Sequence, residues 1–179
     1  MARSLVAGVA LAAALLAACG SPSTDAVGEA AADRPQPAAD GCPLTPEALT
    51  EATSLRWELK ERRAAYPLEA AESIKATVCL FTSADAPQEG SDPLTMRVDL
   101  VEGTDSATVR KSFTGTCTEN GGSVRDSSGA LVCDRNGSVV EGLAGAGDRA
   151  INVYWVNADT STAAKFTPVF GRILAALAD

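Results

Sequence analysis

The sequence predicts an α+β domain: an antiparallel sheet with helices packed on one face, held by two disulfides. Three observations lead there. Segments of strand character and segments of helical period follow one another as helix, strands, helix, strands, helix. The links between strands are short and rich in turn residues, which suits an antiparallel sheet. Cys42, Cys79, Cys117 and Cys133 form an even set spread through these segments.

Pro43-Leu44-Thr45-Pro46-Glu47-Ala48-Leu49 opens the first helix. Thr45 is placed to cap it, Pro46 suits the first helical position, and Glu47 favours the positive end of the helix dipole. Ala48, Leu49, Ala52 and Leu55 continue as an apolar stripe. Residues 55–63 carry two signals, since 55–60 alternate like a strand while 58–63 have high helix propensity. Residues 75–82 are β-rich, and 83–93 form a polar loop. In 94–101, Leu94, Met96, Val98 and Leu100 share one face while Thr95, Arg97 and Asp99 share the other, the alternation of a strand. Thr104-Asp105-Ser106 opens a second helix that turns Val109 and Phe113 inward and stops before Gly121-Gly122. A meander follows, with strands at 123–125 and 130–135 around a turn at 127–129. Asn136-Gly137 leads into 138–141 and is the strongest hairpin signal in the chain, because both central residues of a type I′ turn need positive φ. After a glycine-rich loop, 150–156 form another strand. The last helix sets Ala163, Phe166, Phe170, Ile173, Leu174 and Leu177 at helical spacing. Pro168 within it calls for a kink or a later start.

The N-terminus has a different character. Met1-Ala2-Arg3-Ser4 carries one positive charge, and residues 5–16 have no polar side chain. A positive start, a short apolar run and small residues before a cut site describe a secretory signal. The run falls short of the roughly 20 apolar residues that span a bilayer as a helix. Leu16-Ala17-Ala18-Cys19-Gly20 resembles the lipobox of bacterial lipoproteins. That resemblance implies residues 1–18 as signal peptide, cleavage before Cys19, and a diacylglycerol thioether on its sulfur. Two or three acyl chains anchor stably where one gives marginal binding. Residues 19–41 are small, polar and proline-rich, with Val27 the one large apolar side chain. Such a segment buries too little surface to offset its ordering entropy and is expected as a disordered tether. Residues 42–179 are then one domain of ordinary size.

The chain carries 15 Lys and Arg against 23 Asp and Glu, a net charge of −8 that becomes one unit more negative when Arg3 leaves with the signal. Nucleic acid and anionic headgroups need clustered cations, so neither is an expected partner, and the lipid makes the membrane contact. In an exported chain the four remaining cysteines read as two disulfides with three possible connectivities. Pairing of sequence neighbours, Cys42 with Cys79 and Cys117 with Cys133, is the favoured one. The shorter loop would contribute roughly 3 kcal/mol in the chain-entropy picture. Zinc is disfavoured, because the spacings are long and there is neither a CxxC motif nor a histidine.

The absence of histidine also removes the imidazole base and the Ser-His-Asp and Cys-His arrangements. No SxxK motif surrounds Lys60, Lys75, Lys111 or Lys165. The carboxylate pairs Asp99 with Glu102 and Asp126 with Asp134 read as solvated surface in so acidic a chain. Residues 142–147 are glycine-rich but lack the lysine and the strand–loop–helix setting of a phosphate loop, so they read as a turn. Trp57, Tyr66, Tyr154 and Trp155 remain as candidates for ligand contact, since aromatics give contact area at low entropy cost. Tyr154 and Trp155 are adjacent in a strand, so one faces the core and the other the opposite side. No catalytic residue, metal site or cofactor is expected.

The lipobox, the polar tether and Gly41-Cys42-Pro43-Leu44-Thr45-Pro46-Glu47 at a helix start come before a second cysteine in the next clear strand. Gly147-Asp148-Arg149-Ala150 then precedes a hydrophobic strand and a terminal helix. Together they resemble small actinobacterial envelope lipoproteins classed as a domain of unknown function. The resemblance implies a lipid anchor at the extracytoplasmic face of the cell membrane and a disulfide-bearing α+β domain, and it implies no activity. The chain departs from that pattern in a longer segment at 54–73 and an extra cysteine pair. The function expected is a non-catalytic binding module for a small apolar molecule, a peptide or an envelope protein. The alternatives are a scaffolding lipoprotein and a histidine-independent enzyme.

Replacing the lipidated thiol tests the anchoring. Cys19→Ala is expected to release the protein or leave its precursor uncut, as read by membrane fractionation and lipid labelling. A mature, lipid-labelled Cys19→Ala protein in the membrane fraction would contradict it.

Overall fold

A computed structural model describes residues 41–68, 71–127 and 129–177. The expected signal peptide, Cys19 and the expected tether up to residue 40 lie outside the described residues. The elements are α1 (Pro46–Thr53), β1 (Glu58–Leu68), β2 (Ala71–Ser83), a short 3-10 turn (Glu89–Ser91), β3 (Leu94–Glu102) and α2 (Asp105–Glu119). They continue with β4 (Ser123–Ser127), β5 (Ala130–Arg135), β6 (Ser138–Ala144), β7 (Arg149–Trp155) and α3 (Thr160–Ala175). The seven strands form one antiparallel sheet in the order β1-β2-β3-β7-β6-β5-β4. Two meanders therefore meet at the central β3–β7 pair, and α2 carries the chain from the centre to the far edge.

Local chemistry sets the element ends. Thr45 Oγ1 accepts from the Ala48 N–H at 3.1 Å with Pro46 in the first turn, and α1 ends at Ser54 in the left-handed region, φ 62°. In the ambiguous stretch 55–63, residues 58–63 resolve as strand and 55–57 link α1 to it. From Glu58 onward it pairs with β2, and that ladder outweighs the helix propensity of its charged residues. Asn136 and Gly137 both take positive φ, 55° and 81°, as the hairpin between β5 and β6 requires. Asp159 caps α3 by accepting from the Thr162 N–H at 2.7 Å, and these donors hold its carboxyl below the usual range. Pro168 sits inside α3 on its exposed side, so the helix starts before the proline and not after it.

The antiparallel sheet, the α+β class and both disulfide pairings are as the sequence predicts, but the helices do not share one face. α1 and α3 cover one side, where Leu49, Phe81, Met96, Val153, Phe170 and Leu174 belong to a single core. α2 lies on the other, packing Val109, Phe113 and Cys117 with Val78, Val101 and Leu143. The reason is topological. To reach β4 from β3 the chain must cross the sheet, and the face marked polar by Thr95, Arg97 and Asp99 turns apolar at Val101, giving α2 a seat.

One disulfide lies on each face. Cys42–Cys79 ties the segment before α1 to β2 over 37 residues, and Cys117–Cys133 ties α2 to β5 over 16. The chain-entropy model gives about 4 and about 3 kcal/mol for loops of these lengths. Under α3 the Trp155 ring lies 6.2 Å from Trp57, 5.6 Å from Phe166 and 5.9 Å from Phe170, centroid to centroid. The Arg172 guanidinium donates to the Ala52 carbonyl at 2.7 and 3.1 Å, fixing α3 against the end of α1.

The glycine-rich stretch is not all turn, because Gly142, Leu143 and Ala144 are buried in β6 and the loop begins at Gly145. A Cβ on Gly142 would stand 2.8 Å from the Leu174 methyls and the Phe170 ring edge, both in the sealed core. Gly142→Ala is therefore expected to cost about 1–3 kcal/mol through overpacking. The urea unfolding midpoint measures it. A midpoint equal to wild type would show that α3 does not rest on β6 this closely.

Candidate functional site

The register of the central strands gathers polar side chains on the α2 face. Tyr154 of β7 lies opposite Arg97 of β3 on one side and Glu141 of β6 on the other. In the neighbouring row Asp99 lies opposite Asn152. Paired residues of an antiparallel ladder point to the same face, so these five side chains share one patch. α2 stands over it with Val109, Phe113 and the hydroxyl residues Thr108, Ser112 and Thr116, while Leu68 and Ile74 wall the β1–β2 side. The space enclosed is about 310 Å³, at the small end of ligand pockets. A smaller depression of about 210 Å³ over Val78 and Leu80 adjoins it and shares Arg97.

The charges in this patch are partly satisfied. Arg97 Nε donates to Asp99 Oδ1 at 2.8 Å, with the two side chains only 12% and 7% exposed. Away from water such charges persist only when paired. The Arg97 guanidinium also lies 5.7 Å from the Tyr154 ring centre and 6.0 Å from that of Tyr66, and Arg63 covers Tyr66 at 5.0 Å. Cation and ring quadrupole attract at these distances.

Glu141 is less completely served. Its Oε1 accepts from Asn152 Nδ2 at 2.8 Å, and among the described residues no cation lies within 4 Å of it. Burial pushes its carboxyl above the usual range, the Asn152 bond and the more distant Arg135 charge oppose this, and Asp99 adds to it. Asn152 Oδ1 and Arg135 Nε are buried with no hydrogen-bond partner among the described residues. Few native polar groups are left so, and each that is asks for a reason.

The aromatic candidates divide. Trp57 and Trp155, 5% and 8% exposed, are stacked together in the core between α1, α3 and the sheet, away from the cavity. Tyr154 faces the opposite side and lines the cavity, and Tyr66 borders the adjoining depression. Cys42, Cys79, Cys117 and Cys133 are all in disulfides. Asp99, read in the sequence as solvated, is buried, while Arg97, Glu141 and Asn152 are site residues that the sequence did not single out. An asparagine between Ile151 and Val153 in an apolar strand was the available signal. Among the described residues no group of three His, Cys, Asp or Glu is placed to hold a metal, and no helix is long and apolar enough to cross a membrane.

Comparison with protein-family models, with curated proteins and with solved structures finds no match to the chain.

The half-buried Glu141 carboxyl generates a pH prediction. Because the folded-state pKa of Glu141 is raised above its ordinary 4.5, the folded protein takes up the proton first. Its contribution to stability is full below 4.5 and is lost as pH rises through the folded value. Glu141→Gln keeps an acceptor for Asn152 and removes the charge. The variant is expected to be more stable than wild type at neutral pH, with the difference closing on acidification below 4.5. Chemical denaturation at a series of pH values checks this; a difference independent of pH would refute it.

Proposed function

We propose that the chain is a non-catalytic binding module, and that the cavity between α2 and the sheet is its ligand site. One observation carries the proposal: the polar cluster under α2 does not close on itself. Among the described residues Glu141 has a single neutral hydrogen-bond donor and Asn152 Oδ1 has none, at the margin of a space walled by Leu68, Ile74, Val109 and Phe113. An unsatisfied buried polar atom costs about 1–3 kcal/mol, and a ligand that supplies the partner recovers that cost. Apolar walls around a few convergent polar groups are the usual make-up of a small-molecule site.

Binding without turnover is supported by the chemistry of the groups present. The chain has no histidine. Asp99 is held by Arg97 and so is not free to act as a base. We place the module on the extracytoplasmic face of the cell membrane, carried by lipid on Cys19. The lipobox-like Leu16-Ala17-Ala18-Cys19 supports this, and two disulfides fit an oxidising compartment.

Native mass spectrometry of the protein purified from its own membranes tests the proposal. The wild type is expected to carry a small-molecule adduct. Ser112→Trp, on the exposed side of α2 at the cavity wall, is expected to lose it while keeping both disulfides. No adduct in wild type, or an adduct that survives Ser112→Trp, would contradict it.

A further inference from the structure

The acceptor and charge balance of the cavity defines its ligand further, given that the cavity is a ligand site. We infer that it takes a small amphiphile with an apolar body and a primary ammonium head, with Glu141 and Asn152 as the acceptors for that head. Among the described residues the lining contains two carboxylates, Asp99 and Glu141, and one guanidinium, Arg97. Arg97 already donates to Asp99 at 2.8 Å and has tyrosine rings 5.7 and 6.0 Å from its centre. The cation of the lining is thus engaged, Arg135 outside the lining acts on Glu141 only at longer range, and among the described residues Glu141 has only an amide in hydrogen-bond contact.

Beside it, Asn152 spends its amide N–H on Glu141, and its carbonyl oxygen has no partner among the described residues. Two acceptors with spare capacity, one of them a carboxylate with no cation in contact among the described residues, match a head that donates several hydrogen bonds and carries a positive charge. An ammonium has three donors and no acceptor. A carboxylate head would meet Glu141 as a like charge, and an alcohol has one donor and no charge to offset it. The chain's net charge of −8 favours the approach of cations for the same reason. The body of the ligand would lie against Leu68, Ile74, Val109 and Phe113.

The groups facing Glu141 are Arg97 and Asp99 from β3, Arg135 from β5 and Tyr154 from β7, while the α2 residues lining the cavity are uncharged. Glu141 is therefore the group whose charge an ammonium ligand would read.

The test compares hexylamine, hexanol and hexanoate on the full lipidated chain in detergent by isothermal titration. Ser112→Trp protein in the same detergent gives the blank. At neutral pH hexylamine is expected to bind at least tenfold more tightly than hexanol, and hexanoate more weakly than either. Glu141→Gln is expected to bring hexylamine within about twofold of hexanol, and circular dichroism together with both intact disulfides shows that the variant is folded. In wild type, acidification that protonates Glu141 is expected to erase the same preference without any substitution. Hexanoate binding as well as hexylamine, or an amine preference that survives both Glu141→Gln and acidification, would overturn the ammonium assignment alone. If none of the three probes binds wild type differently from Ser112→Trp, the cavity itself is not a ligand site and both proposals fall.

Discussion

Arg97 and Asp99 are two residues apart on β3, a central strand covered on both faces, and they neutralise one another at 2.8 Å. Away from water neither charge could stand alone, and removing one partner of a buried pair costs about 3–5 kcal/mol because the other is stranded. The rest of the α2 face is arranged around that pair. Tyr154 lies against the guanidinium, and Asn152 lies across from Asp99. α2 packs its apolar residues toward Val101 and Leu143, where the face is apolar, and leaves space over the charges. The cavity is the gap between a helix that needs an apolar seat and a polar patch that cannot supply one.

The opposite face has no such conflict. Its residues are apolar from Phe81 and Met96 to Ile151, and α3 comes down close enough to β6 that a methyl group at position 142 would collide with it. Trp57, Trp155, Phe166 and Phe170 fill the space between the helices and the sheet. One side of the sheet is thus a closed core with its own disulfide. The other is a smaller core with a disulfide at one end and a cavity at the other. Polar groups can stay imperfectly satisfied on the second face because the first supplies so much of the packing.

Most of the fold was legible in the sequence. Thr45-Pro46-Glu47 marked a helix start, the alternation from Leu94 to Leu100 marked a strand, and Asn136-Gly137 marked a hairpin, because each depends on neighbours along the chain. The placement of α2 was not legible, since the order of strands in the sheet decides it. The segment 55–63 was not legible because pairing with β2, and not local propensity, fixed it as β1. The site was the least legible part. Arg97, Glu141 and Asn152 come from three strands and meet through register, so no spacing along the chain announces them. Asp99 looked solvated because alternation shows which side of a strand is polar, not whether that side is covered.

The central claim is that Glu141 keeps a charge the protein does not neutralise and a ligand does. The most direct measurement is an NMR titration of its side-chain carboxyl carbon, with the cavity empty and then saturated with hexylamine. The account predicts a midpoint above the usual carboxylate range when the cavity is empty, because burial disfavours the charged form, and a fall toward or below that range on occupancy. A midpoint that is ordinary in the empty protein, or one that does not move when the amine binds, would contradict it.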